Sequence, residues 1–344
     1  MADDLTERLG PILEAYLPAV GLVEALAVTA VTRLPGGAIH HHYRLDGIAV
    51  RRHQRTPVCW VLRTPASPPL GLGLGLSQAQ AVQAWARAQG VTTPESLHCC
   101  VDGGIIGRPF GLMAWMPGSA DPAACAVGGD DLAMALGAEL AKLHAAPWRR
   151  FPLATALDLG PRPALARIAQ YRRWLDALDW GRPALEWALA WLAHHAPPPG
   201  PRVLCHGDFR TGNYLVVDGR LSALLDWEFA AVGDPLEDIG WFCAPCWRYG
   251  RFDLVGGVGR RRAFYRGYRR QALKQGLLSA WSWVAYWEIM ALVRWGIIAL
   301  HQGRRRFGAH PDEVLALALT AREVTGIEAA LLAAVARYPA PWGE

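Results

Sequence analysis

Three side chains stand out for the chemistry their types and spacing allow. Asp208 and Asn213 lie in HGDFRTGN (206–213), and Asp226 follows thirteen residues later in LLDWE. Carboxylate and carboxamide oxygens are hard ligands suited to Mg²⁺, and a carboxylate held beside a hydroxyl can serve as its base. Phosphoryl transfer needs little else from a protein beyond groups that hold the phosphates. An isolated Asp or Asn more often caps a turn. Here H-G-D-x-x-x-x-N is followed at strand length by an aspartate and then by Gly233-Asp234-Pro235, a combination that capping does not require. Asp208 is therefore expected as the catalytic base, with Asn213 and Asp226 placed by a strand-loop-strand unit on opposite sides of one Mg²⁺.

The elements that must position these groups fall into two parts. Residues 5–22 have the spacing of an amphipathic helix despite Pro11. Segments 28–35, 41–50 and 58–65 then alternate as short strands, which predicts an antiparallel meander. A helix over 77–90 follows, bounded by Ser77 and Gly90, and strands over 95–101 and 110–116 complete a βββαββ pattern. Beyond Pro117-Gly118 the apolar residues of 130–146, 164–178 and 184–196 recur at spacings of three and four, as on helices. The strand-loop-strand unit interrupts this helical part, and 260–332 is helical again. The expected fold class is α+β, with a small sheet-rich lobe over 1–117 and a larger, mostly helical lobe over 118–344.

Composition narrows the function classes. The chain has 344 residues, 52% of them hydrophobic and 19% charged, which supports a substantial core and argues against disorder. Its formal charge of +5 suits an anionic small molecule but falls short of a nucleic-acid footprint. The seven cysteines show no framework spacing, and Cys243-Ala-Pro-Cys246 lacks the second ligand pair a zinc site needs. The acidic start MADDLTERLG is unlike a signal peptide, and YWEIMALVRWGIIAL is interrupted by Glu288 and Arg294. The expectation is a cytoplasmic protein with no membrane span. The alternation Gly71, Gly73, Gly75 departs from G-x-G-x-x-G and reads as a flexible connector. Of His40, His41 and His42, at most His40 and His42 share a side of an extended segment, which reads as a loop near the phosphates or exposed.

HGDFRTGN together with LLDWEFAAVGDPLEDIGWFC resembles the aminoglycoside phosphotransferase or phosphotransferase-enzyme family, relatives of the protein kinases. The resemblance extends over most of the chain. GLMAWMPG is similar to the family's hinge and ELAKLHA to the helix after it. PLEDIGWFCAPCWRYG and YWEIMALVRWGIIAL are similar to the branch that includes the kinase domain of acyl-CoA dehydrogenase family members 10 and 11. The resemblance implies a protein-kinase-like bilobal fold with ATP in the cleft between the lobes. It implies that Asp208 orients or deprotonates the acceptor hydroxyl and that Asn213 and Asp226 bind Mg²⁺. Gly36 and Gly37 begin the turn over the ATP phosphates, and Ala114 and Met116 in the hinge meet the nucleotide. His206 braces the catalytic loop, and Asp234 and Asp238 are structural hydrogen-bonding residues. Glu228 and Arg210 line the same region, within reach of metal or substrate phosphate.

Two departures from the family pattern matter. The phosphate-holding lysine of the third strand is replaced by Arg63, which keeps its charge and can grip two phosphate oxygens at once. The glutamate expected in the next helix as partner of that cation is missing, and Gln78 or Gln80 is the expected substitute. The resulting expectation is an ATP- and Mg²⁺-dependent kinase for a small-molecule hydroxyl, with a hydroxyacyl-CoA thioester as acceptor and the arginines at 260–262 and 304–306 meeting CoA phosphates. An antibiotic kinase of the aminoglycoside or macrolide type is one alternative. A pseudokinase that binds nucleotide without turnover is another.

Overall fold

The computed structural model describes residues 5–35, 40–66, 70–178, 180–251, 254–274, 281–309 and 311–338. Gly36 and Gly37 lie outside the described residues.

Helix α1 (Leu5–Ala19) places Leu5, Leu9, Leu13 and Leu17 on one buried face. It ends three residues before the sequence pattern suggests. Gly21 takes a left-handed φ of 74°, and the amides of Gly21 and Leu22 turn back to the carbonyls of Pro18 and Leu17. This double closure uses up the last carbonyls and stops the helix. Strands β1 (Ala25–Leu34), β2 (His40–Arg51) and β3 (Gln54–Pro65) form the expected meander, with longer ladders than expected. Pairing between β2 and β3 runs out to Arg51 opposite Gln54. Arg52 and His53 make the two-residue turn, both with positive φ, a geometry usually given to Asn-Gly. Its occupancy by two cationic-type residues is why periodicity alone ended these strands early. His40 to His42 accordingly belong to β2 rather than to a loop.

Helix α2 (Leu76–Ala88) follows, then β4 (Ser96–Cys100) and β5 (Phe110–Ala114), giving one antiparallel sheet in the order β1-β2-β3-β5-β4. Ser77 is not the cap of α2. Gly75 holds that position, and its amide donates to Gln78 Oε1 at 3.3 Å. The leucines of α1 pack with Leu45, Trp60, Leu62, Phe110 and Leu112 into a small core on one face of the sheet. On the other side of the sheet, Val82 and Ala86 of α2 join the core of the larger lobe. Because side chains alternate along a strand, burying Leu62 on the α1 side turns Arg63 to the opposite face.

After β5 the chain crosses at 115–118 and pairs at once with the larger lobe, Ser119 exchanging both backbone hydrogen bonds with Val216. The larger lobe contains α3 (Pro122–Ala126), α4 (Gly129–His144), α5 (Ala154–Leu157), α6 (Pro163–Asp176) and α7 (Pro183–His194). Short ladders follow: β6 (Val203–Cys205) with β9 (Ala231–Gly233), and β7 (Tyr214–Val217) with β8 (Arg220–Leu224). Then come α8 (Pro235–Cys243), the paired β10 (Leu254–Val255) and β11 (Gly259–Arg260), α9 (Arg261–Lys274), α10 (Val284–Arg305), α11 (Pro311–Arg322) and α12 (Val324–Ala336). Helix α10 is apolar and long enough to cross a membrane, yet 78% of its most apolar window is buried within the protein. It is the central helix of the large core, packed against α8, α11 and α12.

Leu13→Ala, which empties space between α1 and the sheet, is expected to cost about 2–5 kcal/mol in urea unfolding. Leu319→Ala on the exposed side of α11 is expected to stay within about 0.5 kcal/mol. Equal effects would refute this placement of the small core.

Candidate active site

Strand β6 delivers His206 into a fully buried position between two supports. The backbone amides of His206 and Gly207 donate to the two carboxylate oxygens of Asp238 at 2.7 and 2.8 Å. Burial lowers the His206 pKa, which favours the neutral ring. Its Nε2 then donates to Leu225 O at 2.8 Å, while Nδ1 accepts from the amide of Asp208 at 3.2 Å. His206 therefore braces the loop with both nitrogens. Gly207 has φ 77°, and a methyl group there would collide with the carbonyl of Phe229, so this bend admits only glycine.

Asp238 lies in the first turn of α8 and is itself fully buried. Burial pushes its pKa up, but the hydrogen bond and charge of His144 and the loop amides hold it below the ordinary carboxylate value. His144 links it to Tyr268 through the other ring nitrogen. His144, Asp238 and Cys205 lie close enough to suggest a metal site. The ring nitrogens and both carboxylate oxygens are already committed to hydrogen bonds, so the cluster is a brace. Asp234 is the N-cap of α8, accepting from Leu236 N at 2.8 Å.

Asp208 sits at the end of this brace. Its Oδ1 accepts from Trp241 Nε1 at 2.8 Å and faces Arg210 Nε at 3.3 Å; its Oδ2 accepts from Asn213 Nδ2 at 2.5 Å. Asn213 Nδ2 also donates to the Asp208 carbonyl at 2.9 Å. With its nitrogen so committed, the amide oxygen is what Asn213 has to offer a cation. The β7–β8 ladder pairs Tyr214 with Leu224, and Leu225 N donates to Asn213 O at 2.8 Å. Asp226 is the next residue, so the hairpin brings the third group to the other two. It adopts a left-handed φ of 61°, an unusual conformation for a non-glycine residue that clusters at functional sites. Burial raises its pKa, but the Arg63 charge outweighs this and leaves it low. An ionised carboxylate, a carboxamide oxygen and a second carboxylate form a hard-oxygen set that fits Mg²⁺.

Arg63 reaches this set from the sheet lobe. Its Nη2 lies 2.9 Å from His40 Nδ1, 3.4 Å from Glu228 Oε2 and 3.4 Å from Asp226 Oδ1. Burial and the Arg63 charge push the His40 pKa down to about 2, so its neutral ring accepts from the guanidinium. Burial raises the Glu228 pKa to about 7 against the opposing pull of Arg63, with the like charges of Asp226 and Asp208 adding to the rise. Arg63 Nε is buried without a hydrogen-bond partner among the described residues, an unused donor on the cation that meets Asp226.

The glutamine expectation is overturned. Gln78 Oε1 accepts from Gly75 N at the start of its own helix, and Gln80 Nε2 donates to the carbonyls of His98 and Leu112. Neither glutamine hydrogen-bonds Arg63, and Glu228 supplies the carboxylate instead. The sequence signal was present in the DWE triplet, but 165 residues separate the partners. The glycine connector is also packed rather than free. Leu74 N donates to Glu228 O at 2.6 Å, and a Cβ on Gly73 would crowd that same carbonyl.

Ala114 ends β5 and Met116 follows in the crossing segment, both half-buried. The arginine clusters are largely engaged within the chain. Arg260 pairs with Asp130, Arg261 with Glu288, and Arg304 donates to Ala177 O. Cys243 and Cys246 are free thiols beside Trp241 and Trp247, and burial raises the pKa of both.

The model of the phosphotransferase enzyme family matches residues 23–286. The chain is 28% identical over 231 residues to acyl-CoA dehydrogenase family member 10 of Mus musculus, covering 62% of this chain and 21% of that protein. It is 29% identical over 195 residues to homoserine kinase of Beijerinckia indica, covering 52% of this chain and 55% of that one. The match thus spans less than two thirds of either relative. Among solved structures, a Ralstonia eutropha protein assigned to the aminoglycoside phosphotransferases superposes with TM-score 0.67 at 18% identity, over 96% of this chain and 99% of that one. A thermostable mutant of aminoglycoside phosphotransferase APH(4)-Ia, in ternary complex with AMP-PNP and hygromycin B, gives 0.60 at 17% identity, over 96% and 99%. These likenesses establish the protein-kinase-like bilobal α+β fold. With the family model covering most of its length, the chain belongs to the phosphotransferase enzyme family.

Proposed function

We propose that the protein is an ATP- and Mg²⁺-dependent kinase that transfers the γ-phosphoryl group to a hydroxyl of a small molecule. The observations that carry this reading are the Asn213–Asp208 hydrogen bond, the backbone pairing of Leu225 with Asn213 that sets Asp226 next in the chain, and the approach of Arg63 to Asp226 from the sheet. Asp208 takes the proton of the acceptor hydroxyl as its oxygen attacks the γ-phosphorus, and ADP leaves. Asn213 and Asp226 hold Mg²⁺, which when bound neutralises charge on the phosphate oxygens. Arg63 binds phosphate with the donor that the protein leaves unused. Gly36, Gly37, Ala114 and Met116 are proposed nucleotide contacts.

The acceptor proposed first is a hydroxyacyl-CoA. An anionic acceptor is favoured by Arg210, which stands beside Asp208, partly exposed, with its guanidinium 4.6 Å over the Trp247 ring. Arg260, Arg261 and Arg304 are spent on internal partners, so the expected role of those clusters in holding CoA phosphates is withdrawn for them. A polycationic aminoglycoside would meet the Arg210 charge unfavourably. The pseudokinase reading loses its main ground, because Glu228 restores the carboxylate partner of the phosphate-holding cation.

Asp208→Ala is expected to lower kcat by about 10²- to 10⁴-fold with MgATP affinity held within about twofold, whereas Asp226→Ala weakens MgATP binding in calorimetry; full turnover in both would remove the assignment. An ATP-consumption screen over hydroxyacyl-CoAs, homoserine, aminoglycosides, macrolides, choline and sugars, with the Asp208→Ala protein as blank, identifies the acceptor. Neither MgATP binding nor ATP consumption with any of them would sink the kinase reading. Glu228→Gln is expected to raise the KM for ATP about tenfold, the scale of one lost charge-assisted hydrogen bond, while Gln80→Ala leaves it unchanged. The reverse order of effects would return the partner role to α2.

A further inference from the structure

Arg294 is 3% exposed in the middle of α10, and among the described residues no carboxylate lies within ion-pair distance of it. A buried guanidinium without a counter-charge carries a desolvation cost that an apolar side chain of similar volume would avoid. Its contacts show what the charge does. Nη1 donates to the carbonyl of Gly207, the residue between His206 and Asp208. The guanidinium carbon lies 4.3 Å from the centre of the Trp241 ring and 4.8 Å from that of Phe229. Trp241, 2% exposed, in turn donates its Nε1–H to Asp208 Oδ1 at 2.8 Å.

We propose that Arg294 and Trp241 are positioning residues that set the orientation of the Asp208 carboxylate. One arm of the device holds the main chain next to Asp208 through the Gly207 carbonyl. The other holds the plane of the indole by a cation–π contact, and the indole N–H holds the carboxylate. The two arms leave from one rigid guanidinium, so backbone and side chain of the base are located against the same helix. Lysine could supply the charge but not the planar fork and stacked face together. Asn213 grips the opposite oxygen, Oδ2, so the carboxylate is held at both ends and cannot rotate freely. Trp247 packs 5.1 Å from Trp241 and carries Arg210 on its face, which places the second donor to Oδ1 on the same aromatic cluster.

This inference rests on the reading of Asp208 as the catalytic base, and its test includes a signal that does not need turnover. The indole N–H resonance of Trp241, identified in a ¹⁵N-tryptophan-labelled protein by its loss in Trp241→Phe, is expected to move in Asp208→Ala and in Arg294→Gln. With the acceptor found in the screen, Trp241→Phe and Arg294→Gln are each expected to lower kcat about ten- to a hundredfold, the scale of a small misplacement of a catalytic group. The KM for ATP should stay within about twofold in both. Should Arg294→Gln fail to fold, Arg294→Lys replaces it, with the same shift of the resonance expected. An indole resonance that ignores folded Arg294 variants, or a Trp241→Phe protein with undiminished kcat, overturns the proposal. If no acceptor is found but the resonance responds to both Asp208 and Arg294, the positioning contacts stand and the kinase reading alone fails.

Discussion

The site depends on one buried carboxylate. Asp238 has no exposed surface, and a charge so placed is tolerable only if donors surround it. Its donors are the amides of His206 and Gly207 and a ring nitrogen of His144. Because two of the three are main-chain groups of the segment that leads into Asp208, satisfying this charge and shaping the loop are the same event. His206 extends the brace to Leu225, one residue before Asp226. A single buried anion in α8 thus locates both strand ends that carry the proposed chemistry.

A second constraint works across the lobes. Arg63 stands on the sheet, while Glu228 and Asp226 stand on the segment after β8, and their attraction in a largely buried setting is little screened. His40 completes the cradle from the neighbouring strand as a neutral acceptor, since a second positive charge beside Arg63 is unfavourable. A partner drawn from the other lobe ties the direction of the Arg63 side chain to the placement of the lobes. His41, on the opposite side of β2, meets Glu313 of α11 at 2.8 Å, a second contact between the same strand and the helical lobe.

Much of this was legible in one dimension. HGDFRTGN and DWE carry their groups at short separations, and the strand-loop-strand they sit on allows few ways to arrange them. The leucines at intervals of four in α1 marked a helix with one buried face, and the apolar run before Arg63 marked the third strand. Other features were not legible. The β2–β3 turn uses Arg52 and His53, residues with no turn signature, so the strands read as shorter than they are. The glutamines of α2 stood at the right place in the chain, but the rotation of the helix spent one on its own cap and the other on strand carbonyls. Arg294 read as an interruption of an apolar helix, and nothing local indicated that its charge meets the catalytic loop.

By itself, then, the sequence determined which groups are available and which local turns present them, because spacing along a strand or helix converts directly into direction. Tertiary structure alone decided the pairings: Glu228 with Arg63, Trp241 with Asp208, and Arg294 with the carbonyl of Gly207. Hydrogen bonds and charges act through space over a few ångströms, and separations of 165, 33 and 87 residues leave no periodic trace of a contact that only packing creates.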